Sequence, residues 1–390
     1  MNHQDTKAFV ETLRSVGVTL AADGERLRLR AEPGVLTPSL REDLAARKAD
    51  ILAHLLAEAS EEDALRPMPR PEGILARHEV LRTTFDTRDG EAFQRIAPSG
   101  RIDIAEIDLS ALPEAEKAAA CAQAVATVVS ATFDLRRDLM LRATLIRLAP
   151  ERVVLVLLVH HIAADGWSIG VLIDELTAGY AAHLEGRAPR PAPLPIQYAD
   201  FAIWQRARAD GPVLAAQLDF WRRTLAGAPP LLDLPADRPR PPVESFRGAH
   251  ARYRLPAALT ENLKALAVSL GTTLYAVLLG GFYGMLYRYT GQDDLVVGTP
   301  IANRNRRELE PLVGFFVNTL ALRATVAADL PFESLVRQVA ETTRTAFDHQ
   351  DLPFERLVEE LAPGRDMSHA PLFQTAFALQ NAPRPPLRLA

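Results

Sequence analysis

Hydrophobic and polar positions along the chain change period several times, and each change marks an element. Residues 153–159 are an unbroken run of Val and Leu, which predicts a strand buried on both faces. His160 and His161 follow directly, so two imidazoles stand at the edge of a core. Side chains alternate along a strand, so the pair is expected to point opposite ways, one held inside the protein and one facing a cavity. Beyond them Asp165-Gly166 predicts a tight turn and Ser168 a cap, and Ile169, Leu172, Ile173, Leu176 and Tyr180 recur at helical spacing.

The first sixty residues carry their own pattern. Phe9, Leu13 and Val16 share one face of a short helix that Gly17 ends. Two strands over 18–21 and 26–30 are joined through Asp23-Gly24, a strong hairpin signal. Leu27 and Leu29 occupy one face of the second strand, and Arg26, Arg28 and Arg30 the other. Thr37-Pro38 supplies an N-cap and a first-turn proline, and Leu40, Leu44, Ile51, Leu52 and Leu55 form the inward stripe of the next helix. The three arginines are either a solvated strand face or a cationic edge suited to an extended acidic peptide that adds by backbone pairing. The small size of the unit favours capture.

Residues 61–76 are charged and proline-rich and read as a linker. Residues 77–225 hold the histidine strand and its helix. The prolines between 229 and 242 exclude a helix or a central strand there, so this stretch is expected to cross the surface. From 255 to 289 apolar residues return at helical spacing, with Thr260 as a cap, and 294–299 reads as a buried strand. Strands alternating with helices give a mixed α/β (α+β) fold.

Length and composition narrow the class. A chain of 390 residues predicts two or more cores, for which 48% hydrophobic content suffices. A net charge of -5 gives no general attraction to nucleic acid or an anionic membrane, so neither is expected as a partner. Cys121, the one cysteine, excludes internal disulfides and a cysteine-based zinc cage; lying among alanines, it is expected to be a buried small apolar residue. The start lacks a basic head and an apolar signal core, and no apolar run is long enough to span a bilayer, so a cytoplasmic location is expected. His160, His161 and Asp165 resemble a metal set in isolation, but adjacent strand histidines diverge and no further ligand cluster is evident, so no metal site is expected.

The run from His160 to Ser168 resembles the HHxxxDG signature of the condensation domains of nonribosomal peptide synthetases, in the chloramphenicol acetyltransferase-like superfamily. Four further segments resemble family motifs in the expected order. Residues 77–85 (RHEVLRTTF) match RHExLRTxF, 196–205 (IQYADFAIWQ) match YxDxxxWQ, and 313–319 (VGFFVNT) and 349–355 (HQDLPFE) match two more. Five ordered matches make coincidence very improbable. The helix, hairpin, helix order of residues 1–60 resembles the N-terminal docking domains of the tubulysin-synthetase type, which capture the C-terminal tail of the preceding subunit.

The resemblance implies two acetyltransferase-like lobes in a V, here 77–225 and 226–390, with the active site in a tunnel between them. It implies amide formation between a thioester on one peptidyl carrier protein and the amine of an aminoacyl thioester on another. No cofactor is bound; the substrates arrive on the 4′-phosphopantetheine arms of donor and acceptor carriers. His161 is the family's catalytic histidine, acting as base or as hydrogen-bond anchor for the attacking amine. His160 is expected to fix the loop by donating into the lobe, and Asp165 to pair with an arginine, for which Arg304 is the candidate. Gly166 permits close approach of backbone to substrate, and its N–H is a candidate oxyanion donor. His78 and His349 sit in motifs not known for proton transfer, and Trp204 and Trp221 read as packing residues. The two histidines argue against a heterocyclisation domain, and Gly166-Trp167-Ser168 against an epimerisation domain.

The chain also departs from the family. No SxAQxR-like segment precedes the RHExLRTxF motif, and the end at Ala390 is early. Sheet edge and apolar surface are therefore expected to be exposed. The alternative to an active domain is a truncated, inactive copy that keeps docking and carrier-binding surfaces.

Overall fold

A computed structural model describes residues 6, 9–10, 12–13, 18–23, 26–30, 43–44, 47–54, 72–187, 191–208, 211–362 and 367–380. Near the start, β1 (Thr19–Asp23) pairs antiparallel with β2 (Arg26–Arg30), and opposing Asp23 to Arg26 leaves two residues to turn the hairpin. Val10, Leu13, Val18, Leu20, Leu44 and Ile51 bury together in a small core of their own. Val16, Thr37-Pro38, Leu40, Leu55 and the side chains of Arg26, Arg28 and Arg30 lie outside what is described.

The next core begins inside the stretch read as a linker. Helix α1 (Glu72–Arg77) inserts Leu75, fully buried, because an Ile74-Leu75 pair follows Glu72-Gly73 just past the prolines. After a 3-10 turn over Glu79–Arg82, strands β3 (Thr83–Arg88) and β4 (Glu91–Ile96) form a hairpin. Asp89 and Gly90 both adopt positive φ there, the conformation that matches a tight turn to strand twist. A three-stranded sheet follows in the order β5 (Ala105–Asp108), β6 (Leu141–Ala149), β7 (Arg152–Val159). Strand β5 runs parallel to β6 and β7 antiparallel to it, and helix α2 (Glu114–Val129) lies against β6 and β7.

The expectation of a strand buried on both faces needs correction. Strand β7 stands at the sheet edge, with no strand beyond it among the described residues, so only Val156 is fully buried and its apolar neighbours are half-buried. Both faces are covered, but the margin is open. The strand also stops at Val159, which puts His160 and His161 in the turn that follows. Cys121 is half-buried on α2.

Helix α3 (Gly166–Leu184) returns across this core and buries Leu172 in it. Helix α4 (Tyr198–Arg208) precedes α5 (Pro212–Leu225), which starts on a first-turn proline after Gly211. Leu214, Trp221 and Leu225 of α5 pack in the second large core, so the packing divides ahead of α5 and not at 225. Residues 226–256 form no helix or strand, as their prolines dictate. The helical spacing over 255–289 resolves into α6 (Ala257–Ser269) and α7 (Leu274–Thr290). Gly271, at φ +63°, breaks the run, and the cap is Thr273, whose hydroxyl accepts the Ala276 N–H. Thr260 lies inside α6 and bonds back to the Pro256 carbonyl.

Strands β8 (Asp294–Ile301) and β9 (Asn318–Thr325) pair antiparallel under α7 and α8 (Phe332–Asp348), and α9 (Phe354–Leu361) closes the core. Residues 375–377 add alongside β8 in a parallel bridge at Gly298. Glycine is required there because the Phe373 ring fills the space a Cβ would take. Complete burial of each Leu or Ile in these cores contributes about 1.5–3 kcal/mol.

Candidate active site

The β7–α3 turn and the β8–β9 connection meet, and Asp165 is where they join. It N-caps α3, its Oδ1 accepting the Ser168 N–H at 2.8 Å. The same oxygen lies 2.7 Å from Ser168 Oγ and 3.1 Å from Arg304 Nη2, while Oδ2 accepts the Phe316 N–H at 3.1 Å. Both side chains of the Asp165–Arg304 pair are almost wholly buried, at 0% and 1% exposure. Arg304 also donates through Nη1 to the carbonyls of Leu309 and Leu312 and stacks over Phe316 at 4.1 Å. Burial draws the guanidinium below its ordinary range and Asp165 opposes the shift; an arginine stays charged regardless.

Ser168 extends the join. Its Oγ accepts the Gly314 N–H at 3.1 Å and lies 2.9 Å from the Gly314 carbonyl and from Arg304 Nη2. The Asp165 N–H also donates to Gly314 O. Two residues of one turn thus grip the backbone of a segment almost 150 positions away. Val313, beside it, is buried in the first large core, and its N–H points at His78 Nδ1.

His161 is exposed, and among the described residues neither ring nitrogen has a hydrogen-bond partner. Its ring meets the ring of Phe315 edge to face, centroids 5.1 Å apart at 86°. His160 turns elsewhere: its ring packs at 76° on Phe133, and its Nδ1 accepts the Ile162 N–H at 3.1 Å. It therefore fixes the loop as an acceptor at this nitrogen, where a donor was expected. The divergence of the two rings is real, but the turn produces it and not strand alternation. Gly166 is exposed, and a Cβ there would meet nothing within 4 Å, so its Cα stands in open space. As the first residue of α3 its N–H belongs to the turn without intrahelical partners.

Sequence reading did not assign Tyr198, Gly314, Phe315 or Phe316 to the site. All four sit inside recognised motifs, but their contacts link α4 to the β8–β9 connection and no local pattern reports that. Tyr198 donates its hydroxyl to the Phe315 carbonyl at 2.9 Å. Burial, with the negative charge of Asp165 adding to it, pushes the phenol up to about 12. Its ring lies where a Gly314 Cβ would be, 2.3 Å away.

The other candidates are structural. His78 is buried, with Nε2 at 3.0 Å from Glu175, to which Arg77 Nε also donates at 2.6 Å. Burial alone would raise the Glu175 carboxyl, but His78 and Arg77 outweigh it and hold the group below its usual range. His349 stacks on Phe220 at 3.7 Å, and Trp221 is buried with its indole N–H on the His349 carbonyl. Trp204 packs on one side only, its ring 5.9 Å from that of buried Phe201. It is 42% exposed, with the guanidiniums of Arg208 and Arg306 over its ring at 5.0 and 5.2 Å.

This geometry accompanies an extended likeness to known proteins. Residues 72–385 match the condensation domain family model, and residues 7–56 match that of the TubC N-terminal docking domain. The chain belongs to the condensation domain family. This condensation domain is 47% identical over 310 residues to one of the linear gramicidin synthase proteins of Brevibacillus parabrevis. It is 48% identical over 310 residues to the phosphinothricin tripeptide synthetase PhsB of Streptomyces viridochromogenes. Each alignment covers 80% of this chain, which spans only 6% and 26% of the two relatives. Among solved structures, the X-domain from teicoplanin biosynthesis superposes with a TM-score of 0.69 at 34% identity, over 82% of this chain and 69% of that one. Holo-AB3403, a four-domain nonribosomal peptide synthetase, gives a TM-score of 0.71 at 26% identity, over 80% of this chain and 23% of that one. The mixed helix and strand fold is thus that of the condensation domains. Among the described residues no single helix is long and apolar enough to cross a membrane.

Proposed function

We propose that this condensation domain joins a carrier-bound acyl or peptidyl thioester to the amine of a carrier-bound aminoacyl thioester. The observation that carries the reading is the exposed His161 imidazole, both nitrogens without a hydrogen-bond partner among the described residues, beside a turn locked by Asp165, Ser168 and Arg304. The amine nitrogen attacks the thioester carbonyl, the C–N bond forms, the C–S bond breaks, and the amine proton leaves with the carrier thiol. His161 either takes that proton as general base and returns it to the departing thiolate, or acts as a positioning acceptor for the amine N–H, and imidazole as a side-chain type suits either role. Holding two tethered reactants together supplies up to about 7–11 kcal/mol, while a base contributes about 10²–10⁴-fold. The Gly166 N–H, in the first turn of α3, serves the developing oxyanion. His160 and Asp165 shape the loop, and Arg304 holds Asp165.

Donor and acceptor carriers loaded with thioesters, mixed with the chain, should yield the dipeptidyl thioester by mass spectrometry. His161→Ala should lower the rate at least about 100-fold. Full turnover in that variant removes the assignment, and no product from folded wild-type protein leaves the inactive-copy reading.

The partners proposed are the donor and acceptor peptidyl carriers, whose phosphopantetheine arms bring the substrates, and the C-terminal tail of an upstream subunit. The outer edge of β2 is the site proposed for that tail, with Arg26, Arg28 and Arg30 as cationic contacts. Titration of the chain with acidic C-terminal peptides should show saturable, salt-sensitive binding, and alanine at all three arginines should weaken it about tenfold or more. A cytoplasmic location belongs with the same proposal.

A further inference from the structure

We propose that Phe315 positions the imidazole of His161, so that this phenylalanine is a positioning residue for the reaction proposed above, on whose assignment of His161 the inference rests. His161 lies past the end of β7 in an exposed turn, and among the described residues no polar group holds either ring nitrogen. Rotation about the bond to an imidazole ring is broad, so the plane of an unheld ring, and with it the direction of its nitrogens, is poorly defined. The contact that restrains it is the Phe315 ring, edge to face at 5.1 Å and 86°.

The placement of Phe315 is fixed from several sides. Its carbonyl accepts the Tyr198 hydroxyl at 2.9 Å. The residue before it is gripped by Ser168 and Asp165, and the N–H of the residue after it is bound by Asp165 Oδ2 at 3.1 Å. Yet the Phe315 side chain remains 36% exposed and joins none of the hydrophobic cores. The neighbouring Phe316 is the one that packs, 2% exposed against Phe201 and Tyr198. A fixed backbone carrying a ring that buries little is arranged to present that ring, and what it meets is His161. An edge-to-face contact of this kind biases ring orientation by about 2- to 12-fold, which sets the scale of the expected effect.

The test replaces Phe315 by leucine, which keeps apolar bulk and removes the ring, and by tyrosine, which keeps the ring. Histidine-labelled full-length protein gives one carbon-bound ring resonance for each imidazole, and the His161 signal is assigned by its loss in His161→Gln. Phe315→Leu should move that signal toward the position of a free histidine, while Phe315→Tyr leaves it in place. With loaded carriers, Phe315→Leu should lower kcat about tenfold with KM for both carriers unchanged, and Phe315→Tyr should restore kcat. Tyr198→Phe, which frees the Phe315 carbonyl but keeps every ring, should give a smaller shift in the same direction and serves if the leucine variant does not fold. An unmoved His161 signal overturns the inference, as does a moved signal with kcat within about twofold of wild type. A wild-type protein without turnover whose His161 signal still depends on Phe315 refutes the reaction and keeps the contact, which separates the two failures.

Discussion

Asp165 exchanges its hydration for two donors from Ser168, one guanidinium and the Phe316 N–H. A carboxylate buried to this degree holds its charge only because each lone pair is met and a cation adjoins it. Asp165→Asn keeps the shape, leaves the Arg304 charge unmatched, and should destabilise by about 3–5 kcal/mol, read as a lowered urea midpoint with little change in slope. A small effect would mean that water replaces the lost charge and that the pair is less closed than it stands. At this scale the sequence was most legible where chemistry is contiguous. The histidine pair, Asp165 and Gly166 are neighbours in the chain, and family motifs brought Arg304 to Asp165 across 139 positions. Ser168 was legible only as a cap. Its bonds to Gly314 depend on two distant loops meeting, and no periodicity encodes that.

Among elements, the contact between α1 and α3 shows how charge ties one layer to the next. Glu175, on α3, receives His78 and Arg77 from the end of α1, and its carboxyl is held below the ordinary 4.5. A carboxylate depressed by folding contributes fully above its unfolded value and loses that contribution as pH falls through the folded one. Glu175→Gln should therefore cost about 2 kcal/mol at pH 7, and the difference from wild type should shrink as pH drops below 4.5, followed by thermal unfolding across the range. A difference that does not vary with pH would assign the contact to shape alone. The elements were legible in kind more than in placement. An all-apolar run reported a strand but not that β7, among the described residues, has a neighbour on one side only. Helical spacing from 255 to 289 carried no sign of the break at Gly271, because a glycine within such a run reads equally as tolerated. The prolines after 228 were legible because a fixed φ and a missing N–H allow few alternatives.

At the scale of the whole molecule, the first large core meets the smaller core of Phe201, Leu309, Leu312 and Phe316 at a seam, with Val313 on one side, Phe316 on the other and Tyr198 against both. Gly314→Ala would place a methyl 2.3 Å from the Tyr198 ring and 2.6 Å from that of Phe316. The variant should lose about 1–3 kcal/mol and, by calorimetry, split an unfolding transition that the wild type is expected to show as one. An unchanged thermogram would mean the seam is not what couples the two cores. The Asp165–Arg304 pair lies in that seam, on the same turn as the exposed imidazole. It works as a rivet: whatever either loop does further along the chain, the backbone at Gly314 and Phe316 stays fastened to the turn that carries His161.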